Sequence, residues 1–172
     1  MESRPLVSAG LLGIAAGIRS MTPLAFVSAA AATGRWQLRK KPVSFLSDKK
    51  VALALAAAAA GEVVVDKLPF VPSRTAPPVW LWRIAMGGET GGVAGIAGDE
   101  TGVIGALAGA GTAGAATYAA YRARLALQHQ GRLPSPVAGL VGDALSLVLS
   151  LTAVLLTSSP RVSRFRNFLR RG

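Results

Sequence analysis

The sequence predicts an all-α protein, a polytopic transmembrane helix bundle with a broken first helix and glycine-zipper packing. Of its 172 residues, 51% are hydrophobic and only 16% are charged, whereas soluble domains carry about a quarter charged residues. The chain also contains 20 glycines, and small residues allow membrane helices to pack closely. Long apolar runs alternate with short polar segments. Residues 1–172 are therefore expected to form a single membrane domain.

The first span is expected over residues 6–32, with a break near residues 19–23. Arg19 is the only charged residue in this run. A lone charge at mid-membrane depth costs about 2.5–3.5 kcal/mol, so it usually faces a partner or a cavity. Pro23 removes a backbone donor and disfavours a helical conformation at Thr22. The pattern predicts two half-helices in place of one continuous helix.

The start of the second half-helix is a candidate binding site. Ser20 or Thr22 is expected to cap it. Its free amide groups and positive dipole end, with Arg19 beside them, would form an anion or carboxylate site. The alternative is a proline-kinked helix in which Arg19 pairs with an acid elsewhere in the bundle.

Four further spans are expected, over residues 48–66, 79–98, 102–121 and 137–158. In the span over residues 79–98, Gly87, Gly91 and Gly95 recur every four residues, which places them on one face as a glycine zipper. Because this span is so rich in glycine, a re-entrant segment over residues 87–98 is an alternative to a full crossing. A polar loop is expected over residues 125–136.

Acidic residues inside the later spans are further candidates for a polar site. Glu62 and Asp66 are four residues apart and share one helix face, so one of them is protonated or a cation lies between them. Asp143 begins a polar stripe on the last span. The cations available to these acids are Arg19, Lys67, Arg74 and Arg83.

Basic segments predict the orientation of the chain and its lipid partners. The net charge is +11, with six Lys and Arg between residues 33 and 50 and five Arg in the tail, residues 159–172. Such clusters beside apolar spans indicate cytoplasmic segments that contact anionic head groups, and not a nucleic-acid surface. Five crossings would place both clusters, and the C-terminus, in the cytoplasm. A homo-oligomer is expected because so few helices leave little room for an internal pathway.

No residue pattern indicates a catalytic centre, a metal site or a cofactor. The chain has no cysteine. The single His129 lies in the expected polar loop, where a solvated side chain is the simpler interpretation. The run from Gly109 to Gly114 matches a dinucleotide fingerprint in spacing, but it follows no strand. An enzymatic activity is therefore the less favoured interpretation.

Ordered motifs carry a resemblance to a known family. These are Gly17-x-Arg19-Ser20-x-Thr22-Pro23, Asp66-Lys67-x-Pro69 and Pro72-Ser73-Arg74-Thr75, followed by a glycine-rich span and a late acid. Over residues 6–158 the chain resembles a family of small bacterial multi-pass membrane proteins described only as a domain of unknown function. Members often carry a Glu-Asp pair before the last helix, where this chain has Gly142-Asp143. The resemblance implies the bacterial inner membrane and implies no activity.

The favoured function is a small oligomeric transporter or channel for an ion or a small anionic solute, with its polar path near the break in the first helix. The expected path residues are Arg19, Ser20, Thr22, Glu62, Asp66 and Asp143. The expected rim or phosphate contacts are Lys67, Arg74 and Arg83. One alternative is a membrane enzyme or carrier acting on a phosphorylated lipid, with these cations as clamps. Another is a non-catalytic scaffold assembled through the glycine faces.

Overall fold

The computed structural model describes residues 3–38, 41–65, 76–98, 101–129 and 135–157, and within them the chain is all-helical, without a strand. The predicted fold class is thus confirmed. The described elements are α1 (Ser3–Ile18), α2 (Met21–Ala32), a 3₁₀ helix (Val43–Ser47), α3 (Lys49–Val65), α4 (Pro77–Ala97), α5 (Gly102–His129) and α6 (Ser135–Leu156).

Two segments of the described helices, Gly102–Ala123 and Gly139–Leu156, are long and apolar enough to cross a membrane. The helices α1 and α2 are shorter apolar helices. Large apolar side chains also project outward from α6, among them Leu140, Val141, Leu147, Val148 and Leu151. Soluble proteins rarely expose so continuous an apolar surface. These features indicate a membrane protein, and the expected number of crossings stays a prediction.

One helix is longer than expected, and another is close to its expected bounds. The helix α5 continues to His129, so the expectation that residues 125–129 belong to a polar loop is wrong. Leucine and alanine are strong helix formers, and the segment Leu125–Leu127 meets no glycine or proline that would end the helix. The helix α4 is continuous over Pro77–Ala97, close to the expected bounds of 79–98, and the choice between a full crossing and a re-entrant segment over residues 87–98 stays a prediction. It begins at a proline, whose missing amide has no partner to lose in a first turn.

Glycines bring α1, α4 and α5 into close backbone contact. A β-carbon built on Gly91 of α4 would lie 2.9 Å from the Cα atom of Gly109 on α5. One built on Gly13 of α1 would lie 2.8 Å from the same Cα atom. Both distances are shorter than real side chains permit, so only glycine fits at these positions. The predicted glycine zipper is confirmed, and it joins helices of the same chain.

The helices outside the unit formed by α1, α4 and α5 differ in how extensively they are packed. The helix α6 packs against α1 and α2, and the Ser8 hydroxyl of α1 donates to the Ala153 carbonyl of α6 at 3.0 Å. The helix α3 packs against α2 and the 3₁₀ helix and contains no buried residue. The chain therefore has a firmly packed centre and one peripheral helix, α3.

Replacing Gly109 with alanine should destabilise the protein by about 1–3 kcal/mol, the usual result of overpacking. The added β-carbon would overlap the carbonyl oxygen of Gly87 and lie 3.0 Å from the Cα atom of Gly91, and these backbone atoms cannot move independently of α4. Gly111→Ala is the matched control in the same helix, because a β-carbon there meets nothing within 4 Å. Thermal unfolding in detergent measures both variants, and equal midpoints would contradict the packing described.

Candidate functional site

The break between α1 and α2 falls at Arg19 and Ser20. The amide of Arg19 still donates to the Ala15 carbonyl at 2.7 Å, so α1 closes its last turn there. Pro23 cannot donate to the carbonyl four residues earlier, and its ring would clash with that carbonyl in a continuous helix. That carbonyl belongs to Arg19. The position of the break thus follows from the position of Pro23.

Side chains from three other helices donate to carbonyls in the last turn of α1. Arg83 of α4 donates through Nη1 to the carbonyls of Gly17 at 2.8 Å and Ile18 at 2.7 Å. The Thr117 hydroxyl of α5 reaches the Gly17 carbonyl at 3.1 Å. Ser146 of α6 reaches the Ala15 carbonyl at 3.2 Å. The last turn of α1 is therefore bonded from α4, α5 and α6.

A carboxylate from α3 binds the free amides at the start of α2. Glu62 Oε1 accepts the amide of Ser20 at 2.9 Å, and Oε2 accepts the amide of Met21 at 2.9 Å. Each oxygen takes one N–H group, so the carboxylate bridges the helix terminus. Oε1 of Glu62 also lies 4.0 Å from Arg83 Nη2. The same acid thus contacts the start of α2 and the cation at the end of α1.

Arg19 pairs with Asp143 of α6. Its Nε donates to Asp143 Oδ1 at 2.6 Å, and Nη2 lies 2.5 Å from the same oxygen. Nη1 also donates to the backbone carbonyl of Glu62 at 3.3 Å. The expectation that Arg19 contacts one of the acids in the spans is confirmed. We call Arg19, Glu62, Arg83 and Asp143 the break cluster.

The charges of the break cluster complement the two helix ends. The C-terminal end of α1 carries partial negative charge and holds the Arg83 guanidinium, whereas the N-terminal end of α2 carries partial positive charge and holds the Glu62 carboxylate. Two guanidinium and two carboxylate groups sum to zero formal charge. Both arginines are 3% exposed, whereas the Glu62 and Asp143 side chains are 15% and 17% exposed. The acids therefore lie nearer the outside of the bundle than the arginines.

Several predicted roles need correction. Ser20 occupies the position before α2, but its side chain makes no capping hydrogen bond. Thr22 is helical, within the first turn of α2, so the expected restriction of its conformation by Pro23 is not observed. Arg83 was expected at a rim, and it lies instead at the centre of the cluster. Three other predicted site residues lie outside the described residues: Asp66, Lys67 and Arg74. The basic tail, residues 159–172, lies outside them as well.

Thr117 is the site residue that sequence reasoning missed. It lies on the same face of α5 as Gly109 and Ala113, at steps of four residues, and that regularity could have placed it against α1. The polar stripe beginning at Asp143 is buried at Ser146 and Ser150, and Ser146 contacts α1. A polar residue on a glycine-rich helix face is thus a useful indicator of backbone contact.

Comparison with known proteins assigns a family but no activity. A family model described as a domain of unknown function (DUF4126) matches residues 6–159. No curated protein and no solved structure matches the chain. What the site can do must therefore be argued from its geometry.

The Arg19–Asp143 pair should show strong energetic coupling. Replacing one member removes the charged partner of the other in a largely buried site, and such losses are about 3–5 kcal/mol. Arg19→Met and Asp143→Leu, alone and together, form a double-mutant cycle. The double variant should lose less stability than the sum of the two single variants, with a coupling energy on the order of 0.5–3 kcal/mol. Thermal unfolding in detergent supplies the values, and strict additivity would contradict the pairing.

Proposed function

Because the chain belongs to a family whose description names no activity, we propose its function from the geometry: a small membrane transporter or channel for an ion or a small anionic solute. The polar path would pass the break cluster. The observation that carries the proposal is the Glu62 carboxylate held by two backbone amides at the start of α2. An anion is thus already bound at the helix break, among arginines that lie deep in an apolar bundle.

The broken helix supports transport because transporters commonly place their solute sites at such breaks. Free helix ends in lipid must be bonded by protein, water or solute. Charged residues are costly at this depth and are usually functional where they occur. In the break cluster, Arg19 and Arg83 supply charge for an anion, while Glu62 and Asp143 keep the site neutral when no solute is present.

The lipid-phosphate alternative has less support. It depends on four cations, of which Lys67 and Arg74 lie outside the described residues. The other two, Arg19 and Arg83, each pair with a single carboxylate of the break cluster, and a phosphate would bring more negative charge than that arrangement balances. The scaffold alternative is favoured by one specific observation, which is that each charge of the break cluster has a contact within the chain. A scaffold would need this network only for stability, and flux measurements separate the two functions.

We place the protein in the bacterial inner membrane as a multi-pass protein with a cytoplasmic C-terminus, as the basic loop and tail indicate. Anionic lipid head groups would contact those two segments. A homo-oligomer is proposed as well. Because the zipper face of α4 is used by α5 within the chain, the oligomer would form through the exposed apolar faces of α3 and α6.

Liposomes containing the purified protein should show flux of small anions, and Arg19→Ala and Asp143→Asn should each slow it at least about tenfold. The reason is that a charge-assisted contact is worth about 1.5–3 kcal/mol, and each 1.4 kcal/mol changes an affinity about tenfold. Gly111→Ala, which changes an open position on α5, is the control and should transport like the parent.

Size-exclusion profiles of the same preparations separate loss of transport from loss of folding. Monodisperse variants that transport as well as the parent would contradict the proposal, as would a parent protein that moves no ion or anionic solute. The lipid-phosphate and scaffold functions would then take precedence.

A further inference from the structure

We propose that the Glu62 carboxylate occupies a binding site for small monocarboxylate anions, and that such an anion replaces Glu62 when the protein binds its solute. The transport step rests on the proposed function. The binding site is argued from geometry alone, so it can be tested without a transport measurement.

The site recognises a carboxylate group and not glutamate as such. Its two oxygens each accept one backbone N–H, from Ser20 and Met21, both at 2.9 Å. The guanidinium of Arg83 lies 4.0 Å from one of these oxygens. Paired N–H donors, a helix dipole and a buried cation favour any anion with this shape. None of these contacts involves the methylene groups that join the carboxylate to the chain.

Of the two acids in the break cluster, Glu62 is the one suited to leave. Asp143 belongs to α6, which is fixed to α1 through Ser146 and Ser8. Glu62 belongs to α3, which has no buried residue. The Glu62 side chain is partly exposed, whereas Arg83 behind it is buried. Glu62 therefore lies between Arg83 and the outside, on the helix least held by packing.

Charge balance sets the class of ligand. The break cluster has two cations and two anions, so a monoanion that replaces Glu62 leaves the site neutral. A dianion such as sulfate would leave an excess negative charge in a poorly solvated site, which is strongly unfavourable. The ligand must also have a short carbon chain, since the available space is the space that the Glu62 side chain fills. Small monocarboxylates meet both conditions.

Glu62→Ala supplies the test, because it removes a methylene and a carboxylate, the equivalent of acetate. Sodium acetate should raise the unfolding midpoint of this variant relative to sodium chloride at equal ionic strength. At tenfold above the dissociation constant, the rise should be about 3–6 °C for a chain of this length. The parent should shift less at the same concentration, because its own carboxylate fills the site.

Two controls make the result specific. Acetamide has the shape of acetate without its charge and should not stabilise Glu62→Ala. Glu89→Ala makes the same replacement at an exposed position of α4, and acetate should not stabilise that variant. If Glu62→Ala does not stay folded in chloride, the comparison becomes the yield of monodisperse protein purified in acetate against acetamide, and a higher yield in acetate supports the site.

The proposal is overturned if acetate stabilises Glu62→Ala no more than chloride or acetamide does, or if it stabilises Glu89→Ala equally. Rescue by acetate in a protein that moves no solute in liposomes would support the site and reject the transport function. Flux of inorganic ions without rescue by acetate would support the transport function and reject the carboxylate site.

Discussion

Backbone groups freed by the break in the first helix must find partners inside an apolar bundle, and the rest of the structure depends on this constraint. Pro23 imposes the break by denying a hydrogen bond to the Arg19 carbonyl. The carbonyls at the end of α1 receive donors from α4, α5 and α6. The amides at the start of α2 receive the carboxylate of α3. The helices α3, α4, α5 and α6 thus each contribute a side chain that bonds the backbone at the break between α1 and α2.

Close helix packing makes those contacts possible. A β-carbon on Gly17 would lie 2.6 Å from the Ala113 carbonyl and 2.9 Å from the Thr117 amide, so only glycine lets α5 approach α1 at this point. The same approach brings the Thr117 hydroxyl to the Gly17 carbonyl. The glycine faces are therefore part of the site as well as of the core, because they set the positions from which its donors reach the break.

The sequence predicted the features that depend on local chemistry. The break follows from Pro23, and the pairing of Arg19 follows from the high free energy of a lone charge in an apolar bundle. These expectations follow from the residue types in the sequence and from the low polarity of a membrane.

The features that depend on the register of one helix against another were not predicted. Local capping rules favoured Ser20 or Thr22 as the cap of α2, whereas a carboxylate 42 residues from Ser20 accepts its amide. Arg83 was assigned to a rim because it lies near the start of its span. Its central place depends on the register of α4 against α1, which is set by glycine contacts between helices. Sequence spacing within one helix carries no information on that register.

Hydrogen exchange at the amides of Ser20 and Met21 tests most directly whether Glu62 closes the start of α2. In the parent protein both amides should be protected about as strongly as the interior amides of α2, because each is bonded to a carboxylate oxygen. In Glu62→Ala their protection should fall while that of the α1 interior is retained. Rapid exchange at both amides in the folded parent, or unchanged protection after Glu62 is replaced, would contradict the structure proposed for the break.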